Sequence, residues 1–142
     1  MKNKKGFTLI ELLAVVVILG ILSLIAVPNV ISIIDNNKKD TMLGDARKLI
    51  SQAKYQVNVD KAIRDSKSYV FLFPLLNENN DIKGDPDGGK YWVSSYVQYE
   101  VNASGIATYC IFLGGSKRKI ASSTGGCVME SELFNRNVVR DN

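Results

Sequence analysis

Glu11 is the one charged residue between Phe7 and Ile34, a stretch of 28 residues of which 21 are apolar. A carboxylate placed mid-membrane costs about 2.5 to 3.5 kcal/mol on insertion scales, so it reads as a functional group that needs a partner. A buried carboxylate is tolerable when it is paired with a cation and hydrogen-bonded, so the chemistry on offer is charge pairing in an apolar medium. The chain has no histidine, which removes His-based triads, His metal sites and His general bases. No catalytic residue, cofactor or metal site is expected, and the chain is read as a non-enzyme. Lys and Arg number 18 against 14 Asp and Glu, a formal +4 that falls to +1 without Lys2, Lys4 and Lys5. As a whole it is not a polyanion binder.

The segment that must position Glu11 is long enough to span a bilayer, for which roughly 20 apolar residues suffice. Lys2, Lys4 and Lys5 precede it and favour the cytoplasmic side, which places the C-terminus outside. The 108 residues after Ile34 are about 40% apolar and read as an ordinary soluble fold. A cleaved secretory signal explains the start poorly. The run is longer than an ordinary signal core and carries Glu11, and Pro28 and Asn29 stand where a small-x-small cleavage site belongs. A plain uncleaved anchor leaves Glu11 unexplained.

The stretch Lys4-Lys5-Gly6-Phe7-Thr8-Leu9-Ile10-Glu11, followed by an apolar helix with Gly20 and Pro28, resembles the class III signal of type IV pilins and pseudopilins. The resemblance is close over about the first 55 residues. It implies that a membrane-embedded prepilin peptidase cuts the Gly6-Phe7 bond on the cytoplasmic side and methylates the new Phe7 amine. It also implies that Glu11 of an incoming subunit meets the Phe7 amine of a neighbour in the filament core. Pairing within one chain is the rival, since residues 7 and 11 lie one helical turn apart. Residues 1–6 are then a leader peptide, 7–34 the membrane anchor and filament core, and 35–142 a soluble globular domain that includes the second half of the helix. In family filaments the stretch matching Gly20 to Pro28 can lose helicity, and by the same token it marks the weak points of this helix.

The function that the resemblance implies is that of a structural subunit of a bacterial type IV pilus, serving adhesion, surface motility or aggregation. Its partners would be other pilins, the prepilin peptidase, the assembly platform and motor ATPases, and the membrane before assembly. A pseudopilin of a secretion or DNA-uptake apparatus shares every N-terminal feature. A monomeric membrane-tethered binding module is the alternative of another class, and for it Glu11 would be incidental.

Past Ile34 the sequence turns polar, but Met42, Ala46, Leu49, Ile50, Ala53 and Val57 recur at three- and four-residue spacing, the mark of an amphipathic helix. One helix is expected from Phe7 to about Val59, ~80 Å at 1.5 Å per residue, longer than a domain of this size needs. Pro28 and Gly20 weaken it by ~3 and ~1 kcal/mol, with a kink expected near residues 26–28. Residues 61–68 should end it, and Tyr69 to Leu76 should be an irregular or short helical connector. Asn77 to Gly89 is a loop by composition. Tyr91 to Val101 and Ile106 to Leu113 read as a hairpin around the Asn102 to Gly105 turn, and Lys117 to Ser122 as a third strand. The tail from Val128 suits a short helix or a return strand. The fold class is α+β, a helix packed on a small antiparallel sheet, which is also the pilin layout.

Cys110 and Cys127 lie outside the membrane by this topology and read as a disulfide, with two buried thiols as the rival. Many pilins carry a C-terminal disulfide-bounded region. The bridge would enclose Lys117-Arg118-Lys119, the densest basic cluster of the soluble part. Phosphate contacts need little more than such a cluster, but three basic residues beside a turn are ordinarily a solvated surface, so no nucleic-acid partner is expected. Asp81, Asp85 and Asp87, with Gly84, Gly88 and Gly89 among them, offer oxygens to Ca²⁺. Their spacing matches no EF-hand, and Asp-Pro-Asp-Gly-Gly is ordinary turn chemistry.

Overall fold

A computed structural model describes residues 6–142. The expected leader lysines Lys2, Lys4 and Lys5 lie outside the described residues. The chain divides into a unit that ends at Asn36 and a unit from Asn37 to Asn142. One helix, α1 (Leu9–Val59), contributes to both.

In the first unit every described side chain from Gly6 to Ile34 is exposed, and the apolar residues go all the way round the helix. A helix of this kind belongs in lipid or among other helices. Its polar side chains are satisfied locally, as an apolar medium requires. The Ser23 hydroxyl donates to the Leu19 carbonyl at 2.8 Å, and the Asn29 amide to the Ile25 carbonyl at 3.2 Å. The helix assignment is continuous through Gly20 and Pro28.

In the second unit α1 buries Met42, Leu43, Ala46, Leu49, Ile50, Ala53 and Val57 along one stripe. The short helix α2 (Lys61–Asp65) follows, its N-terminus capped by Asp60, whose carboxylate accepts from the amides of Ala62 and Ile63. The sheet consists of β1 (Ser68–Leu72), β2 (Tyr96–Val101), β3 (Ala107–Gly114), β4 (Arg118–Ile120), β5 (Val128–Met129) and β6 (Val139–Asp141), in the order β1-β2-β3-β4-β6 with β5 also on β3. All pairings are antiparallel. The β2–β3 hairpin turns at Asn102, whose side chain accepts from the amides of Ser104 and Ile106, and at Gly105, which takes the left-handed conformation open to glycine.

One face of the sheet closes on the helix. Phe71, Val97, Ile111 and Val128 are register partners across four strands, and with Leu113, Ile120 and Val139 they form one core with the α1 stripe. This is an α+β architecture, a long helix on a small antiparallel sheet, consistent with the layout that the resemblance implies.

Two expectations need correction. Residues 69–76 are not a connector, because residues 68–72 form β1 and only Phe73–Asn77 is helical (α3), started by Pro74 in its first turn. The strand expected from Tyr91 begins only at Tyr96. Ser95 turns back on Trp92 through a 3.0 Å backbone hydrogen bond, and its carbonyl caps Phe73 instead of entering the ladder. The tail is both things expected of it: 3₁₀ turns at Glu130–Glu132 and Arg136–Val138, then the return strand β6.

Candidate functional site

The N-terminal site is built around the first turn of α1. Thr8 stands just before the helix, and its hydroxyl accepts from the Glu11 amide at 3.3 Å. The Glu11 carboxylate reaches back to accept from the Thr8 amide at 2.8 Å and the Thr8 hydroxyl at 2.9 Å. This is a capping box, Thr-x-x-Glu, which satisfies donors that the helix start leaves unpaired and sets an acid at the positive end of the helix dipole. The sequence carries the signal at Thr8 and Glu11, but a carboxylate read as part of an intersubunit pair draws attention away from it. In the unprocessed chain Phe7 is an amide with no ammonium to offer, and Glu11 is held by Thr8. Gly6 and Phe7 are exposed ahead of the helix.

The disulfide Cys110–Cys127 is formed, with Cα atoms 5.5 Å apart. Cys110 lies in β3, and Cys127 leads into β5, which pairs back on β3. Closing a loop of this length stabilises the fold by about 3 kcal/mol in the chain-entropy model. Reduction, or Cys110→Ser, should lower the denaturation midpoint by a corresponding amount, measured as unfolding of the full chain with and without reductant.

Within the disulfide-bounded segment, Arg118 alone departs from the expected solvated basic cluster, since Lys117 is exposed and Lys119 half-buried. Its side chain is 8% exposed and pairs with Asp87, whose own side chain is 1% exposed. The Arg118 Nε donates to Asp87 Oδ2 and its Nη2 to Oδ1 at 3.1 Å, while Lys38 of α1 donates to Oδ1 at 3.0 Å. Asp85 is equally committed: Oδ1 accepts from the amides of Asp87 and Gly89 at 2.8 and 3.0 Å, and Oδ2 from that of Ser116 at 2.6 Å. Asp81 stands apart, exposed, 3.8 Å from Lys83. The oxygens of Asp85 and Asp87 serve protein donors and Asp81 stands apart, so the loop is held as a structural knot. A neighbouring buried pair, the Tyr91 hydroxyl donating to Asp45 at 2.9 Å, ties the same loop to α1. Burial and then the Asp45 charge push the Tyr91 phenol well above its usual range.

For Asp85 burial alone would raise the carboxyl, but the hydrogen bonds from Ser116, Gly89 and Asp87 outweigh it and hold it below the ordinary value. For Asp87 burial is likewise outweighed, by Arg118 and Lys38. A folded-state carboxyl held low contributes stability that is present above its unfolded value, about 3.9, and lost as pH falls toward the folded one. Unfolding monitored by tyrosine and tryptophan fluorescence should therefore show stability falling below about pH 4. Asp85→Asn should weaken that dependence.

Residues 1–27 match the family model of the prokaryotic N-terminal methylation motif. This is the class III prepilin signal that type IV pilins and pseudopilins share, and it supports a precursor of that type. No solved structure matches the chain.

Proposed function

We propose that this chain is the precursor of a structural subunit of a bacterial type IV pilus. The prepilin peptidase cuts Gly6-Phe7 and methylates the Phe7 amine, and the mature subunit polymerises through its apolar helix. Before assembly the subunit is a single-pass protein of the cytoplasmic membrane with its C-terminal unit outside. The observation that carries this reading is the sequence Gly6-Phe7-Thr8-x-x-Glu11 across the start of a helix whose apolar side chains all remain uncovered through Ile34. Cleavage before that helix removes the lysines that hold it to the cytoplasmic face and leaves the hydrophobic segment on the product. It also creates a cation at Phe7, for which the Glu11 carboxylate of a neighbouring subunit supplies the counter-charge.

Intact mass and N-terminal sequencing of protein sheared from the cell surface test the reading. A chain beginning at methylated Phe7, together with filaments that disappear in a deletion strain, is the expected result. A chain beginning at Met1 in the membrane would overturn it, and a processed chain without surface filaments would favour a pseudopilin.

A further inference from the structure

The face of the sheet turned away from α1 carries a row of rings that the core does not use. Leu72 of β1, Tyr96 of β2 and Phe112 of β3 are register partners and alternate outward from the buried Phe71, Val97 and Ile111. Trp92 extends the row. Its indole lies over the Cα of Gly114, where any side chain would collide with it, 6.2 Å from the Phe112 ring, and Phe112 is 5.8 Å from Tyr96. Leu72 is 53% and Trp92 40% exposed. An apolar strip on the solvent side of a sheet marks an interaction surface.

The charge at one end of the strip indicates what the surface takes. Gly114 is paired with Lys119 of β4, and Lys119 with Arg140 of β6, all on the outward face. Like charges directly opposite across an antiparallel pair are destabilising. Among the described residues, the side chains of Lys119 and Arg140 make no hydrogen bond or ion pair beyond the backbone ladder. The nearest acid along β2, Glu100, stands four residues from Tyr96 and accepts from Gln98. Without Lys2, Lys4 and Lys5 the chain's formal charge is only +1, so the attraction is local: two cations side by side at the end of three aromatic rings. The row crosses five strands, about 19 Å at the usual strand spacing.

We propose that this face binds an acidic polysaccharide of the uronic-acid class. The C–H faces of its sugar rings lie on Trp92, Phe112 and Tyr96, and a sugar carboxylate is received by Lys119 and Arg140. Sugar rings offer apolar faces to such a strip, and a planar guanidinium beside an ammonium suits a carboxylate. A nucleic-acid strand fits less well, since it carries a charge at every nucleotide and calls for cations along the whole track, whereas here they meet at one end. The proposal concerns the unit from Asn37 to Asn142 and does not depend on how the N-terminal helix is used.

Trp92 is the only tryptophan, so its fluorescence reports on the site directly. Full-length protein in detergent is titrated with a hyaluronan octasaccharide, in which uronic-acid and neutral sugars alternate. A saturable change is expected, with the half-saturation concentration raised about tenfold by the double substitution Lys119→Ala, Arg140→Ala. The double variant should melt no lower than the parent, because a repulsion has been removed. Should it fail to fold, high salt on the parent must raise the half-saturation in its place. The proposal is overturned by the absence of a saturable change, by unaltered binding in the double variant, or by a single-stranded oligothymidylate that binds more tightly than the octasaccharide. A fluorescence change that follows protein concentration without ligand would also overturn it, by assigning the face to a second copy of the chain.

Discussion

Replacing Gly6 by valine is expected to leave the chain at its full precursor mass and to abolish surface filaments. The substitution leaves the described fold untouched: a Cβ at Gly6 meets nothing within 4 Å, and Gly6 precedes both the capping box and the helix. On the proposed reading, what is lost is lost at the peptidase, which must fit the residue before the cut bond into its site. The uncut chain keeps Lys2, Lys4 and Lys5, each costly to drag through hydrocarbon, and never acquires a Phe7 ammonium for Glu11. Mass spectrometry of membranes and electron microscopy of sheared material read the two effects separately. A Gly6→Val chain recovered at mature mass in filaments would defeat the reading of the cleavage site. The contrasting variant is Glu11→Gln, which should be processed normally and fail at polymerisation.

The second large effect is expected at Asp87. Asp87→Ala removes the carboxylate shared by Arg118 and Lys38, taking a charged acceptor from a guanidinium that is 8% exposed. Breaking a buried pair from one side costs about 3 to 5 kcal/mol, a large share of the 5 to 15 kcal/mol that holds a domain of this kind. Chemical denaturation of the full chain should show the midpoint falling accordingly. Asp81→Ala, in the same loop but exposed, should change it by less than about 0.5 kcal/mol. Equal effects at the two positions would mean that the knot contributes nothing.

These two predictions differ in how far the sequence could reach. The proposed processing site lies in consecutive residues, Lys4 through Glu11, inside the matched methylation motif, and the helix behind it is visible in composition alone. The second half of α1 and the β2–β3 hairpin follow from periods of 3.6 and 2 within short windows. Asp87 is different. Its partners come from 49 positions upstream and 31 downstream, and nothing local distinguishes it from Asp81, so Asp-Pro-Asp-Gly-Gly reads as turn chemistry alone. Arg118 was hidden for the same reason, among Lys117 and Lys119, which do face outward. The strand β1 escaped because its outward residues Val70 and Leu72 are as apolar as the buried Phe71, which erases the alternation by which a half-buried strand is recognised. Those same outward residues border the ring-bearing face, so the missed element and the unforeseen surface have one cause.

The knot at Asp87 also has a mechanical meaning. A covalent bridge fastens Cys127 to β3 but does not touch the helix, whereas the Asp87 carboxylate joins Lys38 on α1 to Arg118 inside the bridged segment. A pull delivered along α1 thus reaches the far strands through charge-assisted hydrogen bonds as well as through greasy contacts. The 110–127 segment is thus fastened twice, by the disulfide to β3 and by the Asp87 carboxylate to α1.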